Sequence, residues 1–109
     1  MIISGFLFLD ENDTSGESNP FSCGAGKRLA LSVEKLESNT TVDITVKGKV
    51  DCESTEFYDL AVTGASDLQT AATISDEGIY FVRLDGIQQV IVKNDGTAGE
   101  VKVFGTLSD

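Results

Sequence analysis

The clearest pattern in the chain is an alternation of apolar and polar residues in its last third, between residues 79 and 107. A β-strand turns successive side chains to opposite faces, so a period of two predicts which residues point inward. Glycine-marked turns at Asp85-Gly86 and Asn94-Asp95-Gly96 divide this stretch into three strands. The predicted inward residues are Tyr80, Val82, Val90, Val92, Val101 and Val103.

The turn between the first two of these strands allows two registers. A two-residue loop would pair Tyr80 with Ile91 and would make both faces of the hairpin largely apolar. A three-residue loop, Leu84-Asp85-Gly86, places its glycine at a left-handed position and pairs Tyr80 with Val90. This second register collects the valines on one face, and we therefore predict a hairpin with the three-residue loop.

The opposite face of that hairpin mixes large apolar side chains with polar ones. A solvated sheet face rarely carries so many large apolar groups, so we expect this face to meet another protein surface. The candidate subunit-interface residues are Ile79, Phe81, Ile87 and Ile91.

The whole chain contains about eight segments with the composition of strands, and no window carries a sustained helical stripe. We predict an all-β fold, an antiparallel β-sandwich of which the jelly roll is one form. At 109 residues the chain is expected to form a single domain over residues 1–109. The predicted strands are Ile2–Leu9, Lys27–Glu34, Thr41–Lys49, Glu56–Thr63, Ala71–Ile74, Ile79–Arg83, Ile87–Lys93 and Glu100–Leu107.

A long polar connection, residues 10–26, follows the first predicted strand. Such connections in small domains are binding loops, arms to a neighbouring subunit or mobile segments. Its acidic start, Asp10-Glu11-Asn12-Asp13, offers oxygen ligands, but Gly16 is one position late for an EF-hand loop and Phe21 stands where the closing glutamate belongs. We therefore predict a solvated acidic loop without a metal site, with a loose calcium site as the alternative.

The apolar start of the chain, residues 1–9, has no basic stretch and no small-residue cleavage site. We interpret it as a strand and not as a signal peptide, and we expect synthesis in a cytoplasm, where thiols stay reduced. Cys23 and Cys52 are then free thiols, although the sequence also permits their pairing.

The chain is acidic, with 8 Lys and Arg against 18 Asp and Glu and a net charge of −10. Residues 50–82 contain acids and no base. Binding to phosphates along nucleic acid requires a basic stripe, and an anionic membrane attracts basic segments. We therefore expect neither nucleic acid nor a membrane as a partner.

The composition offers little for catalysis. Histidine is absent, which removes the usual proton shuttle and the Ser-His and Cys-His nucleophiles. Gly24-Ala25-Gly26-Lys27 lacks the first glycine and the Ser/Thr of a phosphate-binding loop. Carboxylate groups such as Asp51, Glu53 and Glu56, or Asp76 and Glu77, are expected to be solvated. We expect no enzyme activity and no cofactor.

Four segments of the second half carry a family resemblance: Ile74–Val82, Asp85-Gly86, Val90–Val92 and Gly99–Gly105. Their succession of glycine, tyrosine, alternating valines, glycine and again alternating valines resembles the closing strands of small virion proteins from tailed bacteriophages. The resemblance implies a β-sandwich that decorates a capsid or forms part of a neck, tail or fibre. It also implies a homo-oligomer, other virion proteins as partners, a location in the virion after synthesis in the host cytoplasm, and no catalytic residues.

Two hypotheses of different class follow from the sequence. In the first, the protein is a structural component that acts through protein-protein contacts. In the second, it is a ligand-binding module, for instance for carbohydrate, that uses loops such as Asp10–Gly26 and Gly64–Thr70, with or without calcium. An apolar symmetric interface would favour the first, and a polar cleft rimmed by tyrosine and acids would favour the second.

Overall fold

The computed structural model describes residues 2–9, 16–24, 26–50, 53 and 55–108; within residues 2–9 it describes the backbone and the Phe8 side chain. This part of the chain contains ten β-strands. They are β1 Ile2–Leu9, β2 Phe21–Ser22, β3 Arg28–Lys35, β4 Ile44–Lys49, β5 Tyr58–Leu60, β6 Val62–Gly64, β7 Thr70–Ala71, β8 Gly78–Arg83, β9 Gln89–Asn94 and β10 Val101–Ser108.

The strands form two antiparallel sheets. The larger sheet has the order β1-β10-β3-β8-β6-β7, and the smaller sheet has the order β2-β9-β4-β5. Four pairings are nested like a single long hairpin wound around the core: β1 with β10, β2 with β9, β3 with β8, and β4 with β5. This nesting is the jelly-roll arrangement, so the predicted all-β antiparallel sandwich is confirmed.

The number of strands exceeds the predicted eight for two local reasons. The predicted strand Glu56–Thr63 is divided into β5 and β6, because the chain passes from the smaller sheet to the larger one at Ala61. The short strand β2 lies within the predicted polar connection 10–26 and pairs with β9 through Phe21 and Ser22. Part of that connection therefore belongs to the smaller sheet.

The core lies between the two sheets and is built from aliphatic side chains. Five of the six predicted inward residues, all of them valines, are buried, and Tyr80 is half-buried and packs against them. Full burial of one such side chain stabilises the fold by about 1.5–3 kcal/mol. The largest completely buried side chains are Leu29, Leu31, Val33, Ile44, Val46, Val62, Ile74, Val82, Leu84, Val90 and Val92.

The predicted hairpin between the strands on either side of Gly86 is wrong. β8 belongs to the larger sheet and β9 to the smaller one, so Tyr80 pairs with Leu31, and Val90 pairs with Gly48. Two strands with inward valines can lie side by side or face each other across a core, and alternation alone does not distinguish these arrangements. Gly86 does adopt the predicted left-handed conformation, with φ +84°.

The crossing between the two sheets is held by Leu84, whose side chain is completely buried. Its amide donates to the Lys27 carbonyl at 2.8 Å, and its carbonyl accepts from the Ile87 amide at 2.7 Å. The first bond ties the turn to the residue that precedes β3, and the second bond closes the turn itself. Because Leu84 is inserted in the core, the chain crosses to the opposite sheet instead of folding back beside β8.

The start of β4 also differs from the prediction, since the strand begins at Ile44 and not at Thr41. The Thr41 amide donates to the Ala98 carbonyl, while its hydroxyl accepts from the Thr97 and Ala98 amides at 2.8 and 3.0 Å. Buried Asn94 accepts from the Asp43 amide at 3.3 Å. The Thr41 bonds join two loops in place of strand pairing, and the Asn94 bond ties the segment before β4 to the end of β9.

Replacing Val90 by aspartate is expected to abolish folding, whereas Gln89→Asp is expected to be tolerated. Val90 is completely buried, and an unpaired carboxylate there costs several kcal/mol, which is comparable to the whole stability of a small domain. Gln89 is partly exposed and lies opposite Lys49. Thermal melts of both variants test this expectation, and equal melting temperatures would contradict it.

A pair of glycine variants separates backbone strain from steric overlap. Gly86 and Gly99 both have positive φ, but a Cβ on Gly86 meets no atom within 4 Å, whereas one on Gly99 would lie 2.8 Å from the Thr40 Cα and would also overlap its hydroxyl. We expect Gly86→Ala to cost about 1 kcal/mol and Gly99→Ala about 2–4 kcal/mol. Urea denaturation measures both values; a larger loss for Gly86→Ala would refute the described packing.

Candidate functional site on the larger sheet

The outward side of the larger sheet carries an apolar surface. Two rows of side chains cross its central strands β8, β3 and β10 in that order. The first row is Phe81, Ala30 and Thr106, and the second row is Ile79, Ser32 and Phe104. Ile79 is 54% exposed and Phe81 is 46% exposed. We call these six residues the outer face.

The outer face is uneven because large and small side chains alternate across the strands. A shallow groove of about 240 Å³ is lined by the small side chains of Ala30, Ser32 and Thr106 together with the larger Ile79 and Phe104. Small residues leave the neighbouring large side chains uncovered, so the exposure of Ile79 and Phe81 follows from the pairing. A groove of this kind suits a protruding side chain of another protein.

A larger cleft of about 980 Å³ opens at one end of the outer face. β6 pairs with β8 only where Thr63 and Gly64 lie opposite Phe81 and Tyr80. The last two residues of β8 therefore have β3 on one side and no paired strand on the other. The gap exists because the residues that precede β6 belong to the smaller sheet, and the chain enters the larger sheet only after Ala61. The polar and aromatic residues that line it are Lys27, Arg28, Thr63, Thr70, Phe81, Arg83 and Asp85.

The four predicted interface residues do not share one face, so this part of the prediction is wrong. Ile79 and Phe81 lie together on the outer face, as expected for two alternate residues of β8. Ile87 is partly buried and packs against the core, and Ile91 in the smaller sheet is only 5% exposed. The separation follows directly from the placement of β8 and β9 in different sheets.

Tyr80 is anchored at the opposite end of β8 from the cleft. Its hydroxyl donates to the Asp76 carbonyl at 2.8 Å. Burial, followed by the charges of Asp76 and Asp67, raises the pKa of the Tyr80 hydroxyl. The tyrosine therefore stays protonated as a donor, and its contacts position the strand.

The carboxylates Asp76 and Glu77 fasten the turn before β8 to β3. Asp76 accepts from the Glu77 amide at 2.8 Å and pairs with the Lys35 ammonium at 3.2 Å, and these two contacts, the amide bond first, lower the pKa of its carboxyl. Glu77 accepts from the Lys35 amide at 3.1 Å. With its pKa lowered, Asp76 is ionised at neutral pH and holds no proton to donate as a general acid.

Several other predicted groups can be located only in part. Cys23 is a free, buried thiol, and burial raises its pKa to about 11. Cys52, Asp51 and the acidic residues 10–13 lie outside the described residues. Within the described part of the chain, no three acids or cysteines are grouped closely enough to hold a metal ion. No described segment forms a helix with the length and apolar character to span a membrane.

The sequence pattern does not predict the cleft. Arg28 and Arg83 stand at the start and end of their strands, and they become neighbours only because β3 pairs with β8 in that register. A pair of basic residues at strand ends in an otherwise acidic chain is the one sequence signal that points to it.

Comparison with known proteins supports the fold. No protein-family model matches the chain, and no curated protein matches it significantly. The SPBc2 prophage-derived protein YomS has a similar structure, with a TM-score of 0.82 and 20% identity over 98% of this chain and 94% of YomS. The PBSX exported protein XepA matches with a TM-score of 0.85 and 16% identity over 98% of this chain. The chain spans only 37% of the length of XepA.

The Cys23 thiol is expected to be unreactive in the folded protein. A pKa of about 11 instead of 9.0 lowers the thiolate fraction at pH 8 by roughly 100-fold, and burial restricts access further. In a Cys52→Ser variant, which isolates this thiol, a disulfide reagent should react at least ~100-fold more slowly in buffer than in urea. Similar rates under both conditions would show that Cys23 is accessible.

Proposed function

We propose that this protein is a non-enzymatic structural or assembly component of a phage virion. It acts by binding other proteins, and its main partner is a further copy of the same chain. The observation that carries the proposal is the outer face, where Ile79 and Phe81 remain about half exposed on a central strand. Two neighbouring large apolar side chains in such a position are typical of a protein-protein interface.

The energetics of the outer face favour association. Covering the exposed halves of Ile79 and Phe81 contributes roughly 1 kcal/mol or more for each side chain, and a symmetric contact counts each of them twice. The residues of the outer face include no carboxylate. Copies of a chain with net charge −10 repel one another, so contact is least opposed where acids are absent.

The phage setting rests on two supports of different kind. The segments from Ile74 to Gly105 resemble the closing strands of phage virion proteins. Of the two structural matches, YomS is described as an SPBc2 prophage-derived protein and XepA as a PBSX exported protein. We propose a location in the virion, as part of the capsid surface, neck, tail or fibre, after synthesis in the host cytoplasm.

A variant of the outer face tests self-association. We expect the wild-type protein to elute with a mass that is a multiple of 11.6 kDa in size exclusion with light scattering, and Ile79→Ser/Phe81→Ser to elute as the monomer. Both side chains are half exposed, so the variant should keep its fold and melting temperature. The control is Tyr58→Ser, which removes a side chain of 66% exposure from the smaller sheet.

A wild-type mass of 11.6 kDa at ~100 µM, a concentration at which even weak specific contacts form, would overturn the proposed self-association. Dissociation by Tyr58→Ser alone would move the interface to the smaller sheet. The virion assignment has its own measurement, which is peptide mass spectrometry of density-purified particles. Absence of the protein from particles that contain the other structural proteins would refute it.

A further inference from the structure

We infer that the cleft at the end of β8 binds a short acidic sugar, whose carboxylate or phosphate group contacts Lys27 and Arg28. This inference does not depend on the proposed role in the virion. It rests on which basic side chains of the protein already have a partner, and on the chemical groups that line the cleft beside Lys27 and Arg28.

Six of the eight basic residues already have a partner side chain. Four are ion-paired, at distances of 2.6 to 3.7 Å: Lys35, Lys47, Arg83 and Lys93. Two lie over phenylalanine rings, at 4.7 and 5.0 Å from the ring centres: Lys49 and Lys102. Within the described part of the chain, only Lys27 and Arg28 have neither kind of partner, and both line the cleft.

The charge of the cleft is positive although the protein is strongly acidic. Its lining includes Lys27, Arg28 and Arg83 and a single acid, Asp85, which is already paired with Arg83 at 2.6 Å. Exposed charges are screened over about 8 Å at physiological ionic strength, so the lining dominates the potential inside. A ligand with one or two charges experiences this local field, whereas a long polyanion such as nucleic acid also meets the acidic remainder of the surface.

The other lining groups indicate more than a simple anion. The Thr63 and Thr70 hydroxyls lie 3.2 Å apart, and each can donate to and accept from a ligand hydroxyl. Phe81 contributes an exposed aromatic face, which suits the apolar face of a sugar ring. The guanidinium group of Arg28 matches the two oxygens of a carboxylate or a phosphate. An acidic sugar uses all three kinds of group, whereas inorganic phosphate would use only the cations.

The walls of the cleft are fixed by the core beneath them. Leu84 and Val62, which are neighbours in sequence of the lining residues Arg83 and Thr63, are buried in the core, and the Leu84 amide donates to the Lys27 carbonyl at 2.8 Å. The backbone that carries Lys27 and Arg28 is therefore held in place before a ligand arrives. Such preorganisation reduces the entropy lost on binding.

Calorimetric titration with defined probes tests the inference on the intact protein. The probes are trigalacturonate for the carboxylate form, glucose 6-phosphate for the phosphate form, neutral galactotriose, inorganic phosphate and triglutamate. We expect saturable binding of at least one acidic sugar, weakened by salt, with galactotriose, phosphate and triglutamate at least ~10-fold weaker. The comparison of the first two probes identifies which acid group the cleft prefers.

Matched variants locate the binding. Lys27→Gln/Arg28→Gln should weaken the binding of the acidic sugar at least ~10-fold, because two charge-assisted contacts are lost. Lys47→Gln/Lys93→Gln removes the same charge from the smaller sheet and should change the affinity less than ~2-fold. Thr63→Val should weaken the sugar and leave the binding of inorganic phosphate unchanged. Melting temperatures confirm that each variant is folded.

Four results would overturn the inference. These are no binding of either acidic sugar, equal binding of galactotriose, equal loss of affinity in the Lys47→Gln/Lys93→Gln variant, and triglutamate binding as tightly as the sugars. The last result would assign the cleft to an acidic protein segment.

Discussion

The packing of two aliphatic sheet faces against each other is the interaction on which the rest of the structure depends. Leu29 and Leu31 in the larger sheet, and Val90 and Val92 in the smaller one, are essentially inaccessible to solvent. Burial of these inward positions fixes the outward positions as well, because neighbours along a strand point to opposite sides. The exposed pair Ile79 and Phe81 is therefore a consequence of how the core is filled.

The sequence predicted the inward residues well and the strand partners poorly, for one physical reason. Alternation is a local property, and it is the same whether a strand pairs with its neighbour in the chain or with a distant strand. The buried Leu84 accompanies the crossing to the opposite sheet and not a hairpin. A single apolar residue before a glycine turn gives no local signal that it will enter the core. The left-handed Gly86, which depends only on local sterics, was predicted correctly.

The outer face and the cleft differ in the same way, because the exposed pair on the outer face follows from local alternation and the cleft follows from long-range pairing. Ile79 and Phe81 share a face because they are two residues apart on one strand, so their neighbourhood was visible in the sequence. The cleft requires Arg28 to lie opposite Arg83, and it requires the chain to change sheets at Ala61. Both are long-range features of the jelly roll, and periodicity contains no information about them.

The outer face and the cleft have one residue in common, Phe81, and this overlap links the two proposals. A second copy that covers this ring also changes the wall against which a sugar would lie. By thermodynamic linkage, any effect of association on sugar affinity must be matched by an equal effect of the sugar on association. Lys27 and Arg28 line the cleft but are not among the six residues of the outer face, so the proposed charged contacts do not themselves require Phe81 to be exposed. If both proposals hold, association and sugar binding would be coupled through the Phe81 ring, while the electrostatic part of ligand binding would depend on residues outside the outer face.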